Sequence, residues 1–124
     1  MYTITGRLQY YDNYCVCYVD DNLSAYYRSL LPKAYGVAPQ KYRTHVTVVR
    51  KDIESVASQF KENFWKRYEN ALIPIYYNGT IQRGGSYFWL DAWSPQLNVI
   101  RQELGLHPYR FPFNSFHITI GNCK

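Results

Sequence analysis

Two stretches of the chain repeat one alternating pattern of polar and apolar side chains. Residues 45–48 read His-Val-Thr-Val, and residues 117–120 read His-Ile-Thr-Ile. Strict alternation predicts a strand with one buried face, and side chains two positions apart share a face. We therefore expect the histidine and threonine of each stretch to point to one side, while the valines and isoleucines point to the core. Two such strands side by side would gather two imidazoles and two hydroxyls over one patch of sheet.

The rest of the chain contains β-rich segments separated by turn residues, which predict two β-hairpins. The paired segments with their turns are 2–9 and 14–19 around 10–13, and 73–83 and 86–93 around Gly84-Gly85. Apolar side chains at helical spacing predict three helices. These helices begin near Asp20, Asp52 and Ser94 and end near Pro32, Tyr68 and Gly105, so that the second covers 52–68.

These elements fall into two similar halves, roughly 1–50 and 72–124. Each half runs through a hairpin, a helix, a proline- and aromatic-rich loop and a His-x-Thr strand, and the helix over 52–68 joins the halves. A repeat of this kind predicts two similar lobes related by a pseudo-two-fold axis. We expect a single α+β domain over 1–124, with antiparallel sheets and a central cleft between the lobes as the binding pocket.

The composition adds a preference for an anionic partner. The 124 residues include 14 Lys and Arg against 9 Asp and Glu, a formal charge of +5, and such a charge favours the binding of anions. The 14 Tyr and 3 Trp suit stacking on nucleobases, although Tyr is also a good strand former. Composition alone therefore does not choose between a nucleotide-binding surface and an ordinary β-rich core.

Hydropathy and cysteine usage indicate where the protein works. The sequence contains no apolar run long enough to cross a membrane, and its N-terminus lacks the pattern of a secretory signal. The three Cys residues match neither a disulfide framework nor a zinc spacing. We expect a reducing cytoplasm, which would be the host cytoplasm if the protein is viral, and no membrane partner.

The two His-x-Thr stretches carry the residue types that phosphodiester cleavage needs. One neutral imidazole can take a proton from the attacking oxygen, while a protonated partner gives one to the leaving oxygen. Threonine hydroxyls can donate to the non-bridging oxygens, where negative charge grows. We therefore take His45, Thr47, His117 and Thr119 as candidate catalytic residues. Histidines and carboxylates do not cluster at metal-ligand spacing, so we expect no metal and no cofactor. The alternative interpretation is two ordinary strands with incidental, half-buried histidines.

With these two motifs the chain resembles the 2H phosphoesterase superfamily. The resemblance rests on residues 45–47 and 117–119 and on the Gly-Asn pair at 121–122. Members of the superfamily include bacterial RNA-ligase-like proteins, cyclic nucleotide phosphodiesterases and phage enzymes that cut cyclic-oligonucleotide immune signals. The resemblance implies a two-lobed fold, a hydrolase that acts without a metal ion, and catalytic roles for the histidine and threonine of both motifs.

Four further side chains are candidates for substrate binding. Arg43 shares the face of His45 if the strand begins that early; a surface cation is the alternative. Trp89 lies on the Tyr/Trp face of the second hairpin and would stack on a base if that face borders the cleft, with burial against a helix as the alternative. Tyr35 and Tyr109 lie on the loops that precede the motif strands, where binding residues often occur, and simple solvent exposure explains them as well.

Three functions fit these residues. The first is a metal-independent phosphodiesterase that hydrolyses cyclic nucleotides or cyclic oligonucleotide second messengers, which would help a virus to evade host immune signalling. The second applies the same chemistry to RNA ends that carry a 2′,3′-cyclic phosphate. The third is a non-catalytic nucleotide-binding module, which would not need a matched acid and base. We favour the first, because the compact chain is similar to the phage members of the superfamily.

Overall fold

The computed structural model describes residues 1–51, 53–110 and 112–123. The described residues form six strands, three α-helices and one turn of 3-10 helix. In chain order these elements are β1 Tyr2–Tyr10, β2 Cys15–Tyr18, α1 Asp21–Ser29, the 3-10 turn Lys33–Tyr35, β3 His45–Val49, α2 Ser58–Phe64, β4 Leu72–Gly84, β5 Tyr87–Trp93, α3 Pro95–Glu103 and β6 Phe116–Asn122.

The six strands close into one barrel. Their order around it is β1-β2-β3-β6-β5-β4, with β4 paired back to β1, and every strand pair is antiparallel. The predicted two-lobed α+β fold, with a cleft between separate lobes, is therefore wrong. The physical reason is that the first half of the chain pairs with the second half twice, through β3–β6 and through β1–β4. Closing the sheet in this way leaves no edge strand exposed.

Both predicted hairpins are confirmed. Strands β1 and β2 pair from Arg7 opposite Tyr18 onward, and strands β4 and β5 pair up to the connecting turn. That turn lies one residue later than predicted, because Gly84 pairs with Tyr87 and the two turn residues are Gly85 and Ser86. Gly85 has a φ of 57°, a left-handed conformation that glycine adopts without strain.

The first and third helices are confirmed, together with their caps. Asp20 caps α1 by accepting a hydrogen bond from the backbone N–H of Asn22. Ser94 caps α3 by accepting one from Leu97 at 3.3 Å, and Gly105 follows α3 with a φ of 76°. In the described part of the chain no helix is long and apolar enough to cross a membrane.

The predicted helix over 52–68 is wrong for most of its length, because α2 covers only Ser58–Phe64. The predicted cap Asp52 lies outside the described residues. Before α2, both carboxylate oxygens of Glu54 accept hydrogen bonds from Arg101 on α3. A tertiary contact, and not local helical spacing, therefore sets the conformation of this segment. After α2, Trp65 has an extended backbone and its indole N–H donates to the Tyr11 carbonyl, which fixes the chain against the first hairpin.

The barrel interior is apolar and holds the inward side chains of the two motif strands. Val46, Val48, Ile118 and Ile120 are fully buried in the core, together with Leu8. Strands β3 and β6 are direct neighbours, with Val46 opposite Ile118. The histidines and threonines of both motifs therefore lie on the face opposite the core, on adjacent strands.

Candidate active site

The pairing of β3 with β6 places each motif histidine opposite the threonine of the other motif. Because Val46 faces Ile118 in an antiparallel pair, Thr47 comes opposite His117 and His45 comes opposite Thr119. Directly opposed Cα atoms in antiparallel strands lie about 4.5–5.5 Å apart. The sequence expectation was that the four side chains would share one patch of sheet, and the structure brings them together in this way.

All four side chains line one open cleft of about 670 Å³. The remaining lining of this cleft is rich in aromatic rings, which are Tyr14, Tyr18, Tyr42, Tyr87, Trp89 and Phe113. A smaller recess of about 120 Å³ adjoins the same four side chains and is lined in addition by Arg50, Glu54, Arg101, Arg110, Phe113, Ser115 and Phe116. The cleft and the recess share Arg50 and Phe113, so arginines and aromatic rings surround the same four side chains.

The neighbouring strands extend the motif face into a cross-strand row. On one side Tyr18 of β2 lies opposite His45, and on the other side Trp89 of β5 lies opposite Thr119. The row therefore runs from an aromatic ring through a histidine and a threonine to a second aromatic ring.

His45 has a fixed ring orientation. Its Nδ1 lies 2.7 Å from the backbone carbonyl oxygen of Arg43, and a carbonyl oxygen can only accept a hydrogen bond. Nδ1 must therefore carry the hydrogen, so that in the neutral ring the lone pair is on Nε2. Protonation of Nε2 leaves the bond to Arg43 intact, and His45 can accept or give a proton at that atom without turning.

His117 is held between two aromatic rings. The Trp89 ring stacks on it with centroids 4.9 Å apart, and the Phe113 ring meets it edge-on at 4.7 Å. Burial lowers the pKa of His117 below its ordinary value, Asp91 opposes this shift, and the positive charge of Arg110 adds to it. The neutral form of His117 is therefore favoured in the free protein.

Asp91 is a site residue that the sequence motifs did not single out. One of its carboxylate oxygens accepts hydrogen bonds from the Trp89 indole N–H at 3.1 Å and from the Ser115 hydroxyl at 3.2 Å. The same oxygen lies 3.8 Å from His117 Nε2, which is an ion-pair distance and too long for a hydrogen bond. Alternation along β5 puts Asp91 on the same strand face as Trp89, but only the pairing of β5 with β6 brings it opposite His117.

The arginines of the recess were also missed. Arg101 is 2% exposed and its guanidinium donates to Glu54 at 2.6 and 2.8 Å, to the His107 carbonyl and to the Val48 carbonyl. Arg50 follows β3 directly, and Arg110 lies in the loop before β6. These arginines come from three separate parts of the chain, and no spacing in the sequence links them.

The four predicted substrate-binding residues are placed differently from one another. Trp89 lines the cleft. Arg43 precedes β3, and its guanidinium stacks 4.4 Å from the Tyr18 ring; it lines a neighbouring cavity of about 360 Å³ with Thr119 and not the cleft itself. Tyr35 stacks on Phe88 and Tyr109 packs edge-on against Phe116. The structure does not bring Tyr35 or Tyr109 into the cleft.

Metal-ligating side chains are not gathered at this site. Among the residues that the structure describes, no group of three or more His, Cys, Asp or Glu is arranged to hold a metal ion.

No family model, no curated protein and no solved structure matches this chain. The function of the cleft is therefore inferred from its own side chains.

Proposed function

We propose that the protein is a metal-independent phosphodiesterase of the 2H type that hydrolyses cyclic nucleotides or cyclic oligonucleotides. The observation that carries this proposal is the placement of two histidines and two threonines, from two His-x-Thr motifs, around one cleft. Two imidazoles in one site can supply a base and an acid together. Family membership is part of the proposal and rests on the two motifs, since the closed barrel differs from the two-lobed fold that the resemblance implied.

In the proposed reaction His117 acts as the base. Burial keeps the His117 imidazole neutral in the free protein, and a neutral ring can take a proton from an attacking water. The oxygen of that water then forms a bond to phosphorus. The negative charge of Asp91, at 3.8 Å, offsets part of the cost of charging His117 as it accepts the proton.

His45 acts as the acid. Its Nδ1–H stays bonded to the Arg43 carbonyl, so the transferable proton is on Nε2. As the bond between phosphorus and the leaving oxygen breaks, Nε2 donates this proton to that oxygen. The two histidines then hold the reverse protonation states and exchange protons with solvent before the next turnover.

Thr47 and Thr119 stabilise the charge that develops on phosphorus-bound oxygens. Each threonine lies opposite a histidine across the β3–β6 pair, so both hydroxyls are next to the position of the reacting group. Hydroxyl groups that donate hydrogen bonds to the non-bridging oxygens lower the activation free energy, because negative charge grows on these oxygens in the transition state.

A nucleotide is the substrate class that best fits the rest of the cleft. Its volume of about 670 Å³ lies within the range of small-molecule sites, roughly 300–1,000 Å³. Tyr18 and Trp89 end the cross-strand row on either side of the reacting position, and aromatic rings stack on bases of any sequence. A second candidate substrate is RNA with a 2′,3′-cyclic phosphate, favoured by Arg50 and Arg110 in the recess beside the motif side chains.

The test is incubation with cyclic mono-, di- and trinucleotides and with 2′,3′-cyclic-phosphate RNA, with the products separated by chromatography. We expect product in excess EDTA, and a strong loss of turnover in His45→Ala and in His117→Ala. The double variant should be little worse than either single one, because groups that act as a unit are not additive. His107→Ala is the matched control, since the third histidine is exposed and outside the cleft.

The same experiment separates catalysis from binding. A non-catalytic nucleotide-binding module would form no product with any variant, although the histidine substitutions would change affinity. Equal turnover by the wild type and by the double variant would show that the assigned site is wrong.

We also propose the cytoplasm, or the host cytoplasm for a viral protein, as the place of action. Cys15, Cys17 and Cys123 are all free thiols, and unpaired cysteines are typical of reducing compartments.

A further inference from the structure

We propose that Arg50 and Arg110 form a subsite for a second phosphate group, so that the preferred substrate carries another phosphate next to the one that is cleaved. This inference rests on the proposed function, because it extends the same site toward a larger substrate.

Both arginines line the recess that adjoins the four motif side chains. Arg50 lies three residues beyond Thr47, which corresponds to about 10 Å along an extended chain. Arg110 comes from the loop before β6, with its guanidinium 4.9 Å from the Phe113 ring, and Phe113 contacts His117. The two cations therefore lie beside the reacting position, and Arg50 projects from beyond the end of the motif strand.

Among the described residues that line the recess, three arginines face one carboxylate. This carboxylate, Glu54, gives both oxygens to Arg101, which neutralises that pair. Within residues 1–51, 53–110 and 112–123, the guanidinium groups of Arg50 and Arg110 make no hydrogen bond and no ion pair. Burial lowers the pKa of Arg110, and the positive charges of Arg50 and Arg101 lower it further against the opposing charge of Glu54, as expected where cations outnumber carboxylates. Two guanidinium groups are left to meet an anion from outside.

A single diester does not account for this charge. The reacting diester carries one negative charge and already has two histidines and two threonine hydroxyls around it. Guanidinium groups match phosphate in geometry, with paired N–H donors. The second phosphate could be a terminal monophosphate on a linear oligonucleotide or a neighbouring diester in a cyclic one, and the two sources share the chemistry that the arginines recognise.

Binding without turnover tests the subsite. We would use a His117→Gln background, to suppress cleavage, and titrate three probes by calorimetry. These probes are a linear diadenosine monophosphate with one diester, the same molecule with an added 5′-phosphate, and cyclic diadenylate with two diesters. We expect the second phosphate to raise affinity about tenfold or more, as for hydrogen bonds to a charged group. The two-phosphate probe that binds more tightly than the one-diester probe identifies whether the second phosphate is a terminal monophosphate or a neighbouring diester.

Arginine variants then assign the gain. Arg50→Gln and Arg110→Gln should each remove most of the gain and lower affinity for the one-diester probe by a clearly smaller factor, because both arginines line the recess beside the reacting position. Arg7→Gln is the control, because it removes the same charge from an exposed position on β1 that lies outside the recess. Thermal melting of each variant checks that the fold is retained.

Three results would overturn the subsite. The first is the absence of any gain in affinity from the second phosphate, and the second is a gain that survives both arginine substitutions. The third is an equal loss of affinity for all three probes, which would place the arginines on the reacting phosphate. Failure of the proposed function looks different, because a protein that cleaves none of the panel substrates could still bind the second phosphate through these arginines.

Discussion

Substitution of Glu54 by glutamine should destabilise the protein strongly, because it breaks a buried ion pair. The Arg101 side chain is 2% exposed and that of Glu54 is 12% exposed, with the closest contact at 2.6 Å. Removing one partner of a buried pair costs about 3–5 kcal/mol, since the other charge stays buried. Glutamine keeps one acceptor and Arg101 keeps two backbone carbonyls, so we expect the lower end, about 3 kcal/mol.

The same contact makes stability depend on pH. Burial alone would raise the pKa of Glu54, but the hydrogen bonds from Arg101 and from the Arg50 backbone outweigh it and the pKa is lowered. A lowered pKa means that the ionised Glu54 carboxylate stabilises the folded protein. This stabilisation is fully present above the pKa of the unfolded state, about 4.3, and is lost as the pH falls through the pKa of the folded state. The free energy of unfolding of the wild type should therefore exceed that of Glu54→Gln by the whole amount at pH 7. This difference should shrink as the pH falls below the unfolded pKa.

Urea denaturation at both ends of this pH range measures the effect. The matched control is Glu103→Gln, which removes a carboxylate 3.9 Å from a half-exposed Arg67. Exposed ion pairs contribute about 0–1 kcal/mol to the free energy of unfolding. The amide oxygen of the introduced Gln can still accept the hydrogen bond that the Tyr68 hydroxyl donates to Glu103 in the wild type. If Glu54→Gln at pH 7 costs no more than Glu103→Gln, then the ion pair does not hold the segment before α2 as we infer.

Three further predictions concern the site itself. Asp91→Asn removes a charge that raises the pKa of His117, so an NMR titration should show this pKa falling, and the acid limb of kcat/KM should move to lower pH. Trp89→Ala uncovers one face of the same ring, so the pKa should move up toward its ordinary value and the limb should shift the opposite way. Thr47→Val and Thr119→Val should each reduce kcat by roughly 10²–10³ at most, with urea midpoints nearly unchanged because neither side chain faces the core.

The motif strands could be predicted from the sequence because their signal is local. Alternation over 45–48 and 117–120 already separates a buried face from an exposed one, and each half also carries its own turn and cap residues. The hairpins and two of the three helices follow from such short-range chemistry. The barrel could not be predicted in the same way, because the β1–β4 and β3–β6 pairs join residues far apart in the chain.

Long-range contacts also explain the other errors. The apolar side chains over 52–68 have helical spacing, but the ion pair between Glu54 and Arg101 holds the segment before α2 in another conformation. Asp91 became a neighbour of His117 only through the register of β5 and β6. In each case a tertiary contact determined the local structure. The two residues in contact lie too far apart in the chain for any periodic pattern to link them.

The barrel core itself holds the two histidines in one cleft. A shift of β6 by one residue would turn every side chain of that strand to the opposite face. Ile118 and Ile120, both fully buried, would become exposed at a cost of about 1.5–3 kcal/mol each. His117 and Thr119 would enter a largely apolar interior, where burying their polar groups is costly. Since this cost is a large part of the stability of a small domain, the apolar half of each motif enforces the register that keeps its polar half opposite the other motif.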